Sequence, residues 1–536
     1  MGVRQSTPSS ARRRHYRRRV RRALVLLLVA LILSVVVCGS LAYPVLAPDV
    51  SLSAATPSAT APEATREMPP YGTPTAQPPQ PSETPTVGLP TQAQIVPPSQ
   101  DTHILYYVNG GDSLPVVSLR FGVDIDEITS PDPITTTGLL PPGQLLILPN
   151  RLSETSSGIK LLPDSEAIFS PAALDFDILA FVEEAGGYLA DYSEYLLASG
   201  NTTGAEIIAR VALDYSINPR LLLAALEGQS GWVYGQPKDD VHVEYPMGYV
   251  NRMKKGLYLQ CAWFASKLLD GYYGWREGRL LVLTFEDGRT VRLAPQLNAG
   301  TVGLMTAYAG IYGFEKWALY LYGEEGGFFE LYEGMFGNPW IRALAYEPLI
   351  PVDTEQPEMI LPFEIGHPWA FTGGPHAAWG VADVWAALDF APGTDETGCH
   401  ESNAWVVASM SGLVVRSGNG VVVIDQDGDG SEQTGWNLLY LHIATKDRIE
   451  AGTWVDIGDR IGHPSCEGGR ATGTHIHMVR RYNGEWVPAD GPLPFVLSGW
   501  QAKAGIKAYD GWLIRDSDII YAKTTGTFET QIQREE

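Results

Sequence analysis

Apolar residues are distributed in distinct ways along this 536-residue chain. Residues 23–43, ALVLLLVALILSVVVCGSLAY, form an apolar run without a charge, close to the ~20 residues with which a helix spans a bilayer. Residues 44–101 show no period. Their 14 prolines, mixed with Thr, Ser and Ala, predict a stiff, extended linker with too little apolar surface to fold. Residues 102–150 read as a strand around Tyr106 and Val108, a short helix VVSLRFGV, a second short helix DIDEI and a closing strand GQLLILP. A further linker is expected over 151–175. Residues 176–350 repeat apolar positions at helical spacing, as in IARVALDY and LYLQCAWFASKLL. They are interrupted by RLLVLTFEDGRTVRLA, a predicted hairpin around Asp287 and Gly288. Residues 357–500 break into short β runs separated by Gly and Asp, such as GVVVIDQDGDG and WNLLYLHIA. Residues 501–536 are left as a C-terminal extension. The expected fold class is multidomain: a small α+β module, a mostly α middle domain and a β-rich C-terminal domain behind a single N-terminal transmembrane helix.

Charge sharpens this order. Residues 1–22 hold nine arginines and no acid, which predicts a basic cytoplasmic tail and an extracytoplasmic body by the positive-inside rule. The expectation is a single-pass anchor in the cytoplasmic membrane through residues 23–43. Two variants compete with it: cleavage by a signal peptidase at GSLA before Tyr43, and a lipoprotein-type site at Cys38, where the preceding valine fits poorly. Beyond the tail, 29 of the 38 basic residues face all 61 acidic ones. A body so acidic excludes nucleic acid as a partner, because phosphates would be repelled.

The candidate chemistry starts at RATGTHIHMVRR, residues 470–481. The chain has 10 histidines, yet His475 and His477 lie one residue apart on a predicted strand. Residues i and i+2 share a strand face, about 7 Å apart at the backbone. The pair suits a shared metal or proton-transfer site; two surface histidines are the alternative. A second motif, DQDGDGSEQTG, places Asp425, Asp427, Asp429 and Gly430 as at the start of a calcium loop. Its twelfth position is Trp436 rather than Glu, and Asp and Gly are ordinary turn residues. A turn is therefore the expectation, with Ca2+ as the alternative.

Three further segments join the histidine pair: GGPHAAWG with His376, WAALDFAPG with Asp389, and LLYLHIA with His442 on an alternating strand. Together they resemble the lysostaphin/LytM-like zinc metalloendopeptidases of bacterial cell walls. The resemblance implies Zn2+ held by His376, Asp389 and His477, with His475 as proton acceptor and His442 as hydrogen-bond donor to the developing oxyanion. Two histidines and one carboxylate would leave zinc an open position for water. The sequence departs from the family in one respect: twelve residues, 377–388, separate His376 from Asp389 where three are usual. An insertion looping out from the site would accommodate them. His367 and Asp383 are the competing ligands. A disulfide between Cys399 and Cys466 would staple two sides of this site, with two free thiols as the alternative; Cys261, in a helical pattern, is expected to be a buried thiol.

Two more resemblances complete the reading. Residues 102–150, through Tyr106, Val108, Gly111, Asp112, Ser113, Phe121, Gly122 and Pro149, resemble the LysM domain. This implies binding of N-acetylglucosamine-containing glycans, peptidoglycan above all, with Gly111, Asp112 and Ser113 as glycan-binding residues. The segment IARVALDYSINPRLLLAALEGQSGWV resembles the opening of a lysozyme-like transglycosylase domain, but Gln229 stands where the family has its catalytic Glu. An amide is no general acid, and Glu227 lies about 200° away around a helix, so an inactive domain is expected. The function implied is a membrane-anchored peptidoglycan hydrolase. Its rivals are a non-catalytic wall-binding scaffold or activator of another hydrolase, and glycan cleavage by the middle domain.

Overall fold

Residues 103–149 build a small module from two antiparallel strands, His103–Tyr107 and Leu145–Pro149, with the helix Leu114–Phe121 and the 3-10 turn Ile125–Glu127 between them. Pro115 sits in the helix's first turn and Gly122 closes it with left-handed backbone. Tyr106, Leu114, Val117, Phe121, Leu146 and Leu148 form its core. The computed structural model describes residues 95–323, 326–382, 384–393 and 398–535, which belong to one compact unit, Pro85–Glu536. The basic tail, the apolar run 23–43 with Cys38, the linker up to residue 94 and Asp383 lie outside the described residues. Among the described residues no helix is long and apolar enough to cross a membrane.

The middle of the chain is helical, as its periodicity predicts. Its central helix, Leu257–Arg276, is buried on nearly every side and packs along Ala299–Ala309. Free Cys261 lies inside it, and burial pushes its thiol pKa up. The hairpin around Gly288 joins Val282–Thr284 to Thr290–Arg292. A second hairpin, Ser193–Leu196 with Gly200–Thr203, is not among the expected elements. The linker expected over 151–175 is corrected. Val96 pairs with Thr155, and Leu161, Leu162, Ala167 and Ile168 are buried in the helical core. Asp164 Oδ1 accepts 2.7 Å bonds from Gly300 N and Asn298 Nδ2, so it holds the N-terminus of Ala299–Ala309. Local composition reads as linker because the partner of this carboxylate lies far along the chain.

The C-terminal part is an antiparallel sheet of nine strands among the described residues. Its consecutive neighbours are Trp454–Val455, Gly412–Gly418, Val421–Asp425, Trp436–Leu441, Ile476–Tyr482, Trp385–Pro392, Trp369–Ala377 and Gln531–Ile532; Glu485–Trp486 pairs beside Ile476–Tyr482. Val422, Ile424, Leu438, Tyr440, Met478 and Leu388 face a core of the domain's own. The alternate residues Val421, Val423, Leu439, Val479 and Ala387 join the helical core. Both faces are thus covered, which is why VVVID is apolar throughout its first four positions rather than alternating. Residues 501–536 are not an extension. Trp500–Ala504, Gly511–Arg515 and Asp518–Tyr521 form a small sheet with Val496–Leu497, and Ala502, Leu513 and Ile532 enter the domain core. Their strands are short and mostly half-exposed, and so carry little periodic signal on their own.

Trp486 shows how closely the helices and the sheet are joined. It is fully buried, and its indole donates to Tyr215 O at 3.2 Å. Its amide donates to Tyr273 Oη at 2.7 Å, and Arg481 lies 4.0 Å over its ring. Residues 160–351 and 357–535 should therefore unfold in one transition. Trp486→Ala should cost about 3–5 kcal/mol and lower that single transition in calorimetry. Two resolved transitions in the wild type would contradict the shared core.

Candidate metal centre

Three neighbouring strands carry the site. His477 stands directly opposite Asp389 in the antiparallel register, so their side chains share a face. On the other side Asp389 pairs with Gly373. A Cβ at Gly373 would come within 2.8–3.0 Å of the Asp389 side chain, so the absence of a side chain there makes room for the carboxylate. Register shifts between Gly373 and His376 then bring the imidazole of His376 back towards Asp389.

The three groups converge. His376 Nε2 lies 3.0 Å from His477 Nδ1, and each nitrogen lies 3.2 Å from Asp389 Oδ1. Exposure is 1% for His376, 6% for Asp389 and 7% for His477. The remaining ring nitrogens settle the tautomers: His376 Nδ1 donates to Gly374 O at 2.8 Å and His477 Nε2 to Ala378 O at 3.0 Å. Each histidine therefore turns a lone pair towards the centre, tied from behind by a carbonyl. Asp389 Oδ1 is buried without a hydrogen-bond donor. Burial works to raise the Asp389 carboxyl, but His376 and His477 outweigh it and hold it well below the usual range; Asp389 in turn raises His376 against burial. Both shifts have one cause, a shared place for positive charge. Ligands of one tetrahedral zinc at ~2.0–2.1 Å stand about 3.3 Å apart, so the donor set and its spacing fit Zn2+.

His475 and His442 lie beside this triad, with ring centroids 4.4 Å apart. His475 Nε2 is 3.8 Å from Asp389 Oδ2, and its Nδ1 donates to Gly473 O at 2.8 Å. His442 lies just past the strand Trp436–Leu441 in left-handed backbone (φ 68°), so the strand alternation with Tyr440 ends there. Tyr440 points into the core, where it accepts from Ser409 N. His442 Nδ1 donates to Glu467 O at 2.8 Å, and burial, followed by His475, pushes its pKa down to about 3. A neutral ring tied at Nδ1 presents a lone pair at Nε2, so it must take a proton before it can give one. Cys399 and Cys466 form a disulfide. Around it Thr474 bonds both Gly398 O and His400 O, fastening the segment that leads into His475.

Among its described residues, the insertion 377–388 does not loop out from the site. Strand pairing extends to Ala377 and resumes at Trp385, and Ala378, Ala382 and Val384 sit in the helical core. The tip instead supplies the carbonyl that holds His477. Tyr509, which no motif marks, stacks on His376 with centroids 4.1 Å apart. Backbone bonds Gly374 N to Tyr509 O (3.0 Å) and Tyr509 N to Pro375 O (3.2 Å) fix it there. Burial, then Asp389, raises its phenol pKa, so it stays protonated. Gly373 is also absent from the expected set, although the glycine pair before His376 is a visible signal.

Other expected site residues lie elsewhere. His367 is exposed on the turn before its strand. Gly111, Asp112 and Ser113 are not open to a glycan, which corrects that assignment. Asp112 and Ser113 are buried, and Asp112 bonds Tyr106, Asn109 N and Arg120. Gly111 is covered by the Arg276 guanidinium, which also reaches Gly110 O. Gln229 Oε1 accepts from Tyr312 at 2.9 Å, and Glu227 is spent on the amides of Val233 and Tyr234. Asp425, Asp427 and Asp429 cluster at the far end of the hairpin from His442.

A buried triad of two histidines and a carboxylate, with two further histidines beside it, is the donor set of a candidate metal centre. Comparison with known proteins narrows the class. The family model for the LasA N-terminal domain matches residues 160–351, the helical segment that resembles a lysozyme-like domain in sequence. The chain is 24% identical over 371 residues to protease LasA of Pseudomonas aeruginosa, covering 65% of this chain and 79% of LasA. It is 28% identical over 157 residues to the beta-lytic metalloendopeptidase of Achromobacter lyticus, covering 28% of this chain and 39% of that protein. Among solved structures, the M23 metalloprotease pseudoalterin from the deep sea matches with 22% identity and a TM-score of 0.28, covering 33% of this chain and 99% of its own. The chain is thus similar in sequence to protease LasA and to the beta-lytic metalloendopeptidase.

Two outcomes test the geometry. Gly373→Ala should displace Asp389 and weaken zinc binding about 10–100-fold, the range for disturbed ligand support, as read by competition with a chromophoric chelator. His442 should show no protonation step between pH 5 and 8 in histidine-labelled NMR spectra, its resonances assigned with His442→Asn. A step near the ordinary 6.5 would contradict its burial.

Proposed function

We propose that this protein is a zinc-dependent endopeptidase that cuts peptide stems or cross-links of peptidoglycan. Its body works outside the cytoplasmic membrane, to which residues 23–43 anchor it. The convergence of His376, Asp389 and His477, each imidazole tied from behind by a carbonyl, carries the reading. The cell-wall substrate rests on the sequence resemblance to wall endopeptidases and on the LysM-like order of residues 102–150. Binding of wall glycan by that module would have to use a face other than Gly111–Ser113.

Held by those three residues, Zn2+ would supply Lewis acidity towards a water and a scissile carbonyl. The chain's own groups divide the remaining work. His475, with its Nδ1 proton on Gly473 O, presents Nε2 as acceptor for the water's proton. His442, tilted against it with ring centroids 4.4 Å apart, is neutral and can donate a hydrogen bond once it takes a proton. Tyr509, kept protonated beside His376, is the donor available to a developing oxyanion. Gly373, Gly374 O and Ala378 O position the ligands.

The test is digestion of purified peptidoglycan by the full chain with zinc, the released fragments being identified by mass spectrometry. New peptide termini should appear, vanish with His477→Ala or after chelation, and return with added zinc in the wild type only. Intact peptides from a zinc-loaded protein would overturn the proposal. New sugar ends without new peptide ends would place the chemistry in the helical domain instead.

A further inference from the structure

Residues 467–473 form a loop beside the histidine pair, fastened at both ends. At its start, next to the disulfide at Cys466, Glu467 O holds His442 Nδ1 at 2.8 Å. At its end Gly473 O holds His475 Nδ1 at 2.8 Å, and Thr474 ties the chain to His400 O. Between these points the backbone comes close to the site: a Cβ at Gly469 would stand 3.4 Å from His442 Cε1. Arg470 follows directly and is exposed.

Among the described residues Arg470 makes no ion pair and no hydrogen bond. Glu467 and Glu401, the acids beside the disulfide, have partners of their own. Glu467 accepts from Thr445 N at 2.9 Å and Thr445 Oγ1 at 2.6 Å, and Glu401 pairs with Lys446 at 2.8 Å. Asp389 is enclosed by the histidines. An unpaired cation stands out in a body where 29 of the 38 basic residues meet all 61 acids. The charge of Arg470 also reaches the opposite end of the site. Burial, then Asp389, raise the Tyr509 phenol, and Arg470 opposes them. Tyr509 lies on His376 and Gly469 at His442, with the His477 ring between, 4.9 Å from His376 and 6.5 Å from His442 by centroids. Arg470 and Tyr509 are exposed while the triad is buried, so they mark the solvent side, where a peptide laid across these rings would pass.

We infer that Arg470 binds a carboxylate of the peptide substrate and so selects anionic stems, which rests on the endopeptidase function proposed above. One guanidinium matches one carboxylate through two parallel N–H···O bonds. A stem peptide offers such a group in two places, at its acidic residue and at its C-terminus. Arg470 touches no reacting atom and is a specificity residue. It would draw an anionic substrate to a site whose acidic surroundings otherwise repel it.

The test uses soluble cross-linked stem dimers in four forms: all carboxylates free, only the acidic residues amidated, only the C-termini amidated, and both amidated. The zinc-loaded full chain should favour the free form over the fully amidated one by about tenfold in kcat/KM, the worth of one charge-assisted hydrogen bond. The difference should sit in KM, because the contact holds substrate without entering the chemistry. The singly amidated forms then tell which carboxylate is bound. Arg470→Gln should erase the preference, and Arg470→Lys should keep part of it. Both variants should melt with the wild type, as an exposed residue without partners allows. Equal cutting of free and fully amidated dimers by the wild type would overturn the inference. So would a preference undiminished in Arg470→Gln. If no dimer is cut, the endopeptidase function fails. Arg470 is then tested separately, by calorimetric Kd values of the same dimers on the zinc-loaded chain and its variants, with the same two outcomes deciding.

Discussion

A buried carboxylate cannot keep its charge unless positive or hydrogen-donating partners replace the water it has lost. Asp389 is such a group, and much of the C-terminal domain is arranged around it. A strand partner on one side supplies His477, a strand partner without a side chain on the other leaves space, and an irregular register returns His376 to the same oxygen. Each imidazole is oriented by a carbonyl behind it, so both lone pairs turn inward. The result is a buried centre of three donors turned towards one point, where positive charge is favoured.

The helical domain takes part in that arrangement. The tip of the hairpin carrying His376 and Asp389 is seated in the helical core, and the carbonyl of Ala378 within that tip fixes His477. On the opposite side the C-terminal segment reaches the same strand through Gly374 and Pro375 and lays Tyr509 on His376. The site is thus held from two directions by parts of the chain that contain none of its metal ligands. Half-buried arginines make the longer connections in this acidic protein. Arg276 joins Asp164, Glu485 and the backbone at Gly110, and Arg416 joins Asp214 to Glu432. Such pairs break at high cost when one partner is removed, so they favour one relative placement of the segments over all others.

Much of this is legible in the order of residues. The His-x-His strand and the Asp in ALDF are visible because strand periodicity sorts side chains onto faces whatever the rest of the fold does, and the histidine after Tyr-x is visible through the family resemblance alone. The helical stretch 176–350 and the hairpin at Gly288 are visible for the same local reason. Charge, too, is local information, and it is the ground for expecting no nucleic acid partner.

What the sequence by itself determined, then, was which residues are chemically able to act and which segments are helix or strand. Tertiary structure alone decided which of them meet and in what state. Gly111 looks available until Arg276, far along the chain, reaches it, and Asp112 until Tyr106 and Arg120 take its carboxylate. Residues 151–175 look like linker until Asp164 finds the helix at Ala299. His442 looks like a donor until a carbonyl 25 residues on claims its Nδ1 proton. Tyr509 carries no signal at all. Hydrogen-bond partners, burial and the protonation they impose are long-range properties, set by segments that sequence spacing keeps apart and only the folded chain brings into contact.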